Sequence, residues 1–303
     1  MEGVTFYFDT EVALMEFLQS GMGSAMTFVM SLFTMLGEEM VAVGILVFLY
    51  WVWDKERAVL IGTNVLVGTV VNPFLKNFAL RRRPYFDHPQ IQCLKPVHDG
   101  DIYDISAQGY SFPSGHSSNS AILFGSLAGV YRRLAPAAVL VPLLVGLSRV
   151  MLGVHYPTDV LAGWASGILV VVVLSRLQRT IANKTVLYIG IMVLFVPGFL
   201  ICKTNDFYTC YGILSGFFAG RILDERFIHF ENTRNVRAAV LRLAIGGTLF
   251  GALNVVMKMP FSDAFLNSAT TGQFLFRAFR YFLISFLMLG VYPAAFRKVK
   301  LLT

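Results

Sequence analysis

The sequence predicts an all-α fold, a polytopic bundle of membrane helices, and three observations carry that expectation. Of its 303 residues, 56% are hydrophobic and only 14% are charged, with a mean hydropathy of +0.64, a balance too apolar for a soluble domain. Apolar runs of membrane-crossing length recur from Met22 to the C-terminus. The charged residues gather between these runs instead of spreading along helical faces.

Taken in order, Glu11 to Ser20 alternates acidic and apolar residues at helical spacing and predicts a helix lying along the membrane surface, interrupted by Gly21 and Gly23. From Ser24 to Trp53 only Glu38 and Glu39 break the apolar run. One continuous helix would bring both carboxylates near the bilayer centre, at roughly 2.5 to 3.5 kcal/mol each on insertion scales. The expectation is therefore a hairpin of Met22 to Leu36 and Met40 to Trp53. Further spans are expected at Ala58 to Leu75, Gly115 to Tyr131, Pro136 to Val150, Pro157 to Leu177, Val186 to Ile201, Phe207 to Leu223, Val236 to Val256 and Phe274 to Phe296, ten in all.

Sidedness follows from the loops. Lys55 with Arg57, Arg132 with Arg133, Arg176 with Arg179 and Lys184, Arg234 with Arg237, and the Arg297 to Lys300 cluster fall on one side, which the positive-inside rule makes cytoplasmic, together with both termini. The net charge of +7 therefore reads as the flanks of spans and implies no nucleic-acid partner. Met1 and Glu2 open no basic leader, so no removable signal peptide is expected. Three cysteines give neither a metal motif nor a disulfide framework; a Cys202 to Cys210 bridge stays open if their turn faces an oxidising compartment.

One segment breaks the charge pattern. Lys76 to Ser114 lies on the opposite side yet carries Lys76, Arg81, Arg82, Arg83 and Lys95. Three clusters meet at that face: KNFALRRRP (Lys76 to Pro84), PSGH (Pro113 to His116) and SRVMLGVHYPTD (Ser148 to Asp159). Together they hold cations, two histidines, a carboxylate and a small-residue helix start, the groups needed to bind a tetrahedral dianion and attack it. On a continuing helix, Lys76 and Arg83 would lie two turns apart near one face, with Pro84 ending the helix. Arg149 adds a planar fork suited to phosphate. Arg81 and Arg82 are left with no role beyond snorkelling to the interface. Pro113 suits a first helical turn, so free N–H groups of the next helix would face the anion beside His116. Asp159 lies four residues after His155, close enough to fix its tautomer and leave the other ring nitrogen nucleophilic.

These three motifs, Lys76-x6-Arg83-Pro84, Pro113-Ser114-Gly115-His116 and Ser148-Arg149-x5-His155-x3-Asp159, resemble the type 2 phosphatidic acid phosphatases, or lipid phosphate phosphatases, related in core to vanadium haloperoxidases. The resemblance implies a six-helix phosphatase core over about residues 11 to 177, within a membrane-embedded region 1–180. It also implies phosphate binding by Lys76, Arg83, Ser114, Gly115 and Arg149. By the same resemblance His155 is the nucleophile, Asp159 its orienting partner and His116 the general acid. The expected substrate is a lipid phosphate drawn from the surrounding membrane lipids, with no cofactor and no metal. Residues 181–303 add about four spans without a usable motif, which either pack on the core or form a contact in a homo-oligomer. The rivals are a haloperoxidase, whose relatives are typically soluble, a lipid or phosphate-compound transporter or scramblase built on the same core, and a non-catalytic scaffold. An intact nucleophile, orienter and acid argue against the last two.

Overall fold

The computed structural model describes residues 3–97 and 101–303. Met1 and Glu2, on which the absence of a leader was argued, lie outside them. The described residues are helical, with a single isolated bridge between Val4 and Arg81. In chain order come α1 (Asp9–Ser20), α2 (Ser24–Met35), α3 (Glu39–Phe48, prolonged by a π turn over Leu49–Trp53) and α4 (Lys55–Ala79). The short α5 (Pro84–Asp87) and α6 (Ile105–Gln108) precede α7 (Gly115–Val130), α8 (Ala137–Met151), α9 (Pro157–Thr180) and α10 (Lys184–Leu194). Then follow α11 (Gly198–Ile201), α12 (Asn205–Leu223), α13 (Val236–Val256), α14 (Asp263–Leu266), α15 (Thr271–Phe286) and α16 (Ala295–Lys298). All ten expected segments contain helix, though Val186 to Ile201 is broken by a turn between α10 and α11. Six of the helices are long and apolar enough to cross a membrane, or seven if α2 and α3 count as one bent span.

The chain divides into two compact units, one holding the described residues up to Ala42 with Val71–Leu174, the other Val43–Val70 with Ser175–Thr303. In the first, α9 lies against α7 through Gly163 and Gly167, where a β-carbon would stand 2.6 Å from the Ser114 carbonyl oxygen and 2.8 Å from that of Ser118. This small-xxx-small contact brings the start of α9 beside the start of α7. In the second unit α12 uses Gly212 and Gly216 the same way: β-carbons there would come within 2.3 Å of the Ala278 and Phe282 carbonyl oxygens of α15. Arg221 at the end of α12 is held by Glu56, Asp224 and Glu225. Cys202 and Cys210 are both buried and are not joined by a disulfide.

Three local expectations are corrected. The hairpin at Glu38 is instead a bend of 44° between α2 and α3. Lys95 comes within 3.6 Å of Glu38, so the carboxylate has a counter-charge and the chain need not reverse to rescue it. Helix α1 also docks on the protein: Val12 and Met15 join a core with Ile91, Val150, Tyr156 and Val160. Its Glu11, read as water-facing, is buried against Arg81 at 3.2 Å. This docking also puts the N-terminal segment at the end of the unit that carries the three motifs, not at the opposite end. Finally, Lys76 and Arg83 do not share a helix. Helix α4 stops at Ala79, Leu80 takes a left-handed conformation (φ 52°), and Pro84 holds Arg83 extended at φ −76°, ψ 155°. Val4 pairs with this extended stretch through Leu80 and Arg82.

Candidate active site

The extended Arg81–Arg83 stretch sets the first part of the site. Side chains alternate sides in an extended chain, so Arg81 and Arg83 turn inward and are buried. Arg82 turns outward to Asp87 at 2.7 Å. Arg83 donates through Nε to the Gly109 carbonyl (3.0 Å), through Nη1 to Val154 (3.1 Å) and through Nη2 to Gln108 (2.6 Å). It therefore clamps two loops while keeping two further N–H groups.

The second part is the start of α7. Ser114 is the N-cap, its hydroxyl accepting from the Ser117 amide, and the helix begins at Gly115, which places Pro113 just outside the first turn. Asn72 of α4 holds this turn: its amide donates to the Pro113 carbonyl at 3.3 Å. A β-carbon at Gly115 would stand 3.2 Å from the Asn72 amide oxygen, so the backbone approach needs glycine. The Ser114 amide donates to the Asp159 carbonyl at 2.9 Å, tying the second motif to the third.

The third part is the turn after α8. Gly153 at φ +74° ends that helix, with Val154 N–H donating to the Arg149 carbonyl (3.2 Å) and Gly153 N–H to Val150 (3.0 Å), the bond pair of a Schellman cap. The cap turns the chain so that Arg149 and His155, six residues apart, sit at one end of α8. Arg149 is 2% exposed and donates to the Thr34 hydroxyl at 2.9 Å. Its Nε is buried without any partner. Gly37, in the α2–α3 break, packs on His116 so closely that a β-carbon would stand 2.7 Å from the His116 carbonyl oxygen.

His155 is fully buried, with Nδ1 at 3.5 Å from Asp159 Oδ2 and 3.3 Å from the Ser111 hydroxyl. The Ser111 hydroxyl donates to Asp159 Oδ2 at 2.5 Å, and the Tyr156 amide donates to the same oxygen at 2.8 Å. Arg81 binds the other carboxylate oxygen at 2.6 Å. The network assigns the proton to Nδ1 and leaves Nε2 with a free lone pair. Burial first, then the charges of Arg83, Arg149 and Lys76, hold the His155 imidazole well below its ordinary range. His116, at the start of α7, stands near the same cations and near His155. Lys76, Arg83, Arg149, His116 and His155 are thus electrostatic neighbours, and Ser114, Gly115 and Asp159 adjoin them through the contacts above. Among the described residues no three His, Cys, Asp or Glu side chains gather as a metal site would require.

Sequence reasoning missed the support behind Asp159. Arg81 is 1% exposed, sandwiched between the rings of Phe6 (4.4 Å) and Tyr156 (4.0 Å), and joins Asp159 to Glu11. Glu11 also accepts from the Thr158 amide (2.8 Å) and hydroxyl (2.6 Å) at the start of α9. The available signal was Pro84: by forcing the preceding residue to be extended it makes Arg81 and Arg83, not Lys76 and Arg83, the pair that shares a side.

Residues 57–182 match the PAP2 superfamily and residues 208–303 match the PAP2 superfamily phosphatase transmembrane extension. The chain is 36% identical over 115 residues to a lipid A 1-phosphatase of Rhizobium etli, covering 36% of this chain and 45% of that protein. It is 34% identical over 129 residues to phosphatidylglycerophosphatase B of Bacillus subtilis (39% and 54% covered). Over 109 residues it is 37% identical to a decaprenylphosphoryl-5-phosphoribose phosphatase of Mycobacterium tuberculosis (35% and 52%). The chain spans about half the length of the curated relatives it matches. Among solved structures it is similar to a transmembrane PAP2-type phosphatidylglycerolphosphate phosphatase from Bacillus subtilis, with a TM-score of 0.43 and 25% identity, covering 58% of this chain and 87% of that one.

Proposed function

The chain belongs to the PAP2 superfamily, and from that membership and the site geometry we propose that it is an integral membrane phosphatase acting on phosphomonoester or diphosphate groups of lipid-like substrates, through a phosphohistidine and without a metal. The observation that carries the reading is Arg149: a buried guanidinium whose Nε has no partner, beside a histidine kept neutral. An unpaired buried donor is costly, and a phosphate oxygen satisfies it.

In the first step the Nε2 lone pair of His155 attacks phosphorus while the bond to the leaving oxygen breaks, and His116 gives that oxygen a proton. The ring becomes cationic as the N–P bond forms, and Asp159, held by Arg81 and Ser111, stabilises the new charge. In the second step water attacks phosphorus, His116 takes its proton, and the N–P bond breaks to return neutral His155. Lys76, Arg83, Arg149 and the Ser114–Gly115 turn bind the phosphoryl oxygens, supplying the charge that a metal would otherwise provide.

The substrate is amphiphilic in this proposal. Three of the relatives' names specify lipid A, phosphatidylglycerophosphate and a decaprenyl phosphoribose. An apolar groove of about 310 Å³ lined by Ala121, Gly125, Leu143, Trp164 and Ile168 lies along α7, α8 and α9, the helices whose ends carry His116, Arg149 and Asp159. We assign the chemistry to residues 1–180, with 181–303 as the transmembrane extension, and place the site on the non-cytoplasmic face of a plasma membrane, opposite the basic loops. The test is phosphate release from a panel of lipid phosphates by purified protein in detergent with EDTA present; activity that disappears in EDTA and returns with Mg²⁺ overturns the metal-free mechanism.

A further inference from the structure

Helix α15 carries charge that nothing in the phosphatase chemistry uses. It starts the apolar span Thr271–Lys298, yet Gln273, Arg277 and Arg280 recur on it at spacings of four and three residues, which places them along one face. A different face packs on α12: Phe274 stacks on Tyr208 at 4.7 Å, and the Ala278 and Phe282 carbonyls meet Gly212 and Gly216. The polar face meets the start of α12, where Gln273 reaches Asn205 and Asp206 acts on Arg277.

It is not a snorkelling face. Gln273 is 2% exposed and Arg280 3%, whereas a snorkelling arginine keeps its head in water. The Gln273 side chain donates to Asn205 at 3.1 Å, which leaves its Oε1 buried and unpartnered. Both Arg277 Nε and Arg280 Nε are buried without partners, and among the described residues neither arginine belongs to an ion pair. The guanidinium of Arg280 lies over the ring of Tyr281, at 4.6 Å from its centroid. Two like charges less than one helical turn apart in a membrane span repel each other and are costly to bury; Asp206 acts on Arg277 alone, and the buried Arg280 without an acid beside it points to a bound anion. Arginine forks match the planar and tetrahedral oxygens of phosphate. They lie about 9 and 13.5 Å along α15 from its first residue.

We propose that Arg277 and Arg280 form a second phosphate site, built entirely from residues of the C-terminal unit, whose occupant is the phosphate of an anionic lipid. The same chemistry would accept free inorganic phosphate, and the experiment separates the two. Full-length protein in detergent is titrated with dioleoyl phosphatidylglycerol, a phosphodiester without the terminal phosphate that the histidine site attacks. Dioleoylglycerol, which has the same tails and no phosphate, and inorganic phosphate are titrated in parallel. Thermal melting and native mass spectrometry read binding. Phosphatidylglycerol should raise the melting temperature of the wild type and of Arg149→Gln, in which the histidine-site cradle is broken. In Arg277→Gln/Arg280→Gln its apparent affinity should fall roughly tenfold or more. If that double variant does not fold, half-buried Arg277→Gln alone decides, with a weaker lipid response expected. A shift that inorganic phosphate reproduces, and that the same variants abolish, identifies the free ion as occupant and overturns the lipid assignment. Equal responses to phosphatidylglycerol and dioleoylglycerol, or an unchanged response in the arginine variants, overturn the site. None of these readouts involves turnover, so the second site stands or falls apart from the phosphatase reading.

Discussion

Ser111→Ala tests the arrangement behind the nucleophile. The direct contact between His155 Nδ1 and Asp159 Oδ2 is long, at 3.5 Å, and the Ser111 hydroxyl bridges the two at 3.3 and 2.5 Å. When His155 attacks phosphorus its ring becomes cationic, and the carboxylate attracts it by about 4 kcal/mol at about 4 Å in an effective dielectric of about 20. Asp159→Asn removes that attraction and should slow phosphorylation by about a thousandfold. Ser111→Ala leaves the charge in place, still held by Arg81 at 2.6 Å and the Tyr156 amide at 2.8 Å, and removes one hydrogen bond to a charged group, worth about 1.5 to 3 kcal/mol. The expected loss in kcat is about ten- to a hundredfold, with KM little changed, because Ser111 orients the ring and does not touch the phosphate. The assay is rapid-quench formation of phosphoenzyme from an aryl phosphate, alongside steady-state rates. A purely structural serine would lower the melting temperature without slowing phosphorylation of the folded fraction. Phosphorylation by Ser111→Ala within about threefold of wild type would show that Asp159 orients His155 without the bridge.

The pH profile follows from the neutral His155. Its imidazole is depressed below the ordinary value of about 6.5 by burial and by Arg83, Arg149 and Lys76, and it attacks only when unprotonated. The acid limb of kcat/KM should therefore lie well below that value, activity being lost as pH falls through the depressed pKa, and Lys76→Met should move the limb upward. An acid limb unmoved by Lys76→Met would count against this assignment. The two histidines should fail at different steps: His155→Ala gives no phosphoenzyme from any substrate, whereas His116→Ala still accepts phosphate from an aryl phosphate and then stalls. Label trapped on His155→Ala but not on His116→Ala, after an alkaline quench, reverses the roles. For sidedness, cysteines introduced at Asp101 and Lys184 in a cysteine-free background should react with an impermeant thiol reagent from outside at position 101 only; the opposite result inverts the topology. Gly125→Phe should raise KM for long-tailed lipid phosphates more than for a short-chain analogue, and equal effects on both would remove the groove from substrate binding.

The groups proposed to perform the chemistry stood out because their types and spacings fit that reaction: a histidine with a carboxylate four residues on, a helix start that admits close backbone approach, and cations for a dianion. What surrounds them was not legible, because it depends on pairings between distant segments. Glu11 looks like the polar face of a surface helix until Arg81, seventy residues on, is known to receive it. Glu38 looks intolerable inside a continuous span until Lys95 stands 3.6 Å away. Hydrophobic periodicity locates helices, but it cannot tell whether a charge faces water or another charge. The Lys76–Arg83 expectation failed for a local reason, since helical spacing was extended through Leu80, which takes a left-handed conformation.

The buried acids behind the site complete its charge balance. Apart from the proton that His116 passes to the leaving oxygen, Lys76, Arg81, Arg83 and Arg149 bring four positive charges, and Glu11 and Asp159 bring two negative ones, so with neutral His155 the sum is 4 − 2 = +2. A phosphate dianion cancels it. With Asp159 alone the sum would be 4 − 1 = +3, and a bound dianion would leave an excess charge inside the protein. Glu11 removes that excess from a distance, through Arg81 at 3.2 Å, without placing a carboxylate where it would repel the phosphate. The same balance links binding to reaction. Burial first, then the uncompensated cations, hold the His155 imidazole below its ordinary range, so in the proposed mechanism its lone pair is available for the phosphate. Once the dianion offsets those cations, the ring can accept the positive charge that forms as nitrogen bonds to phosphorus.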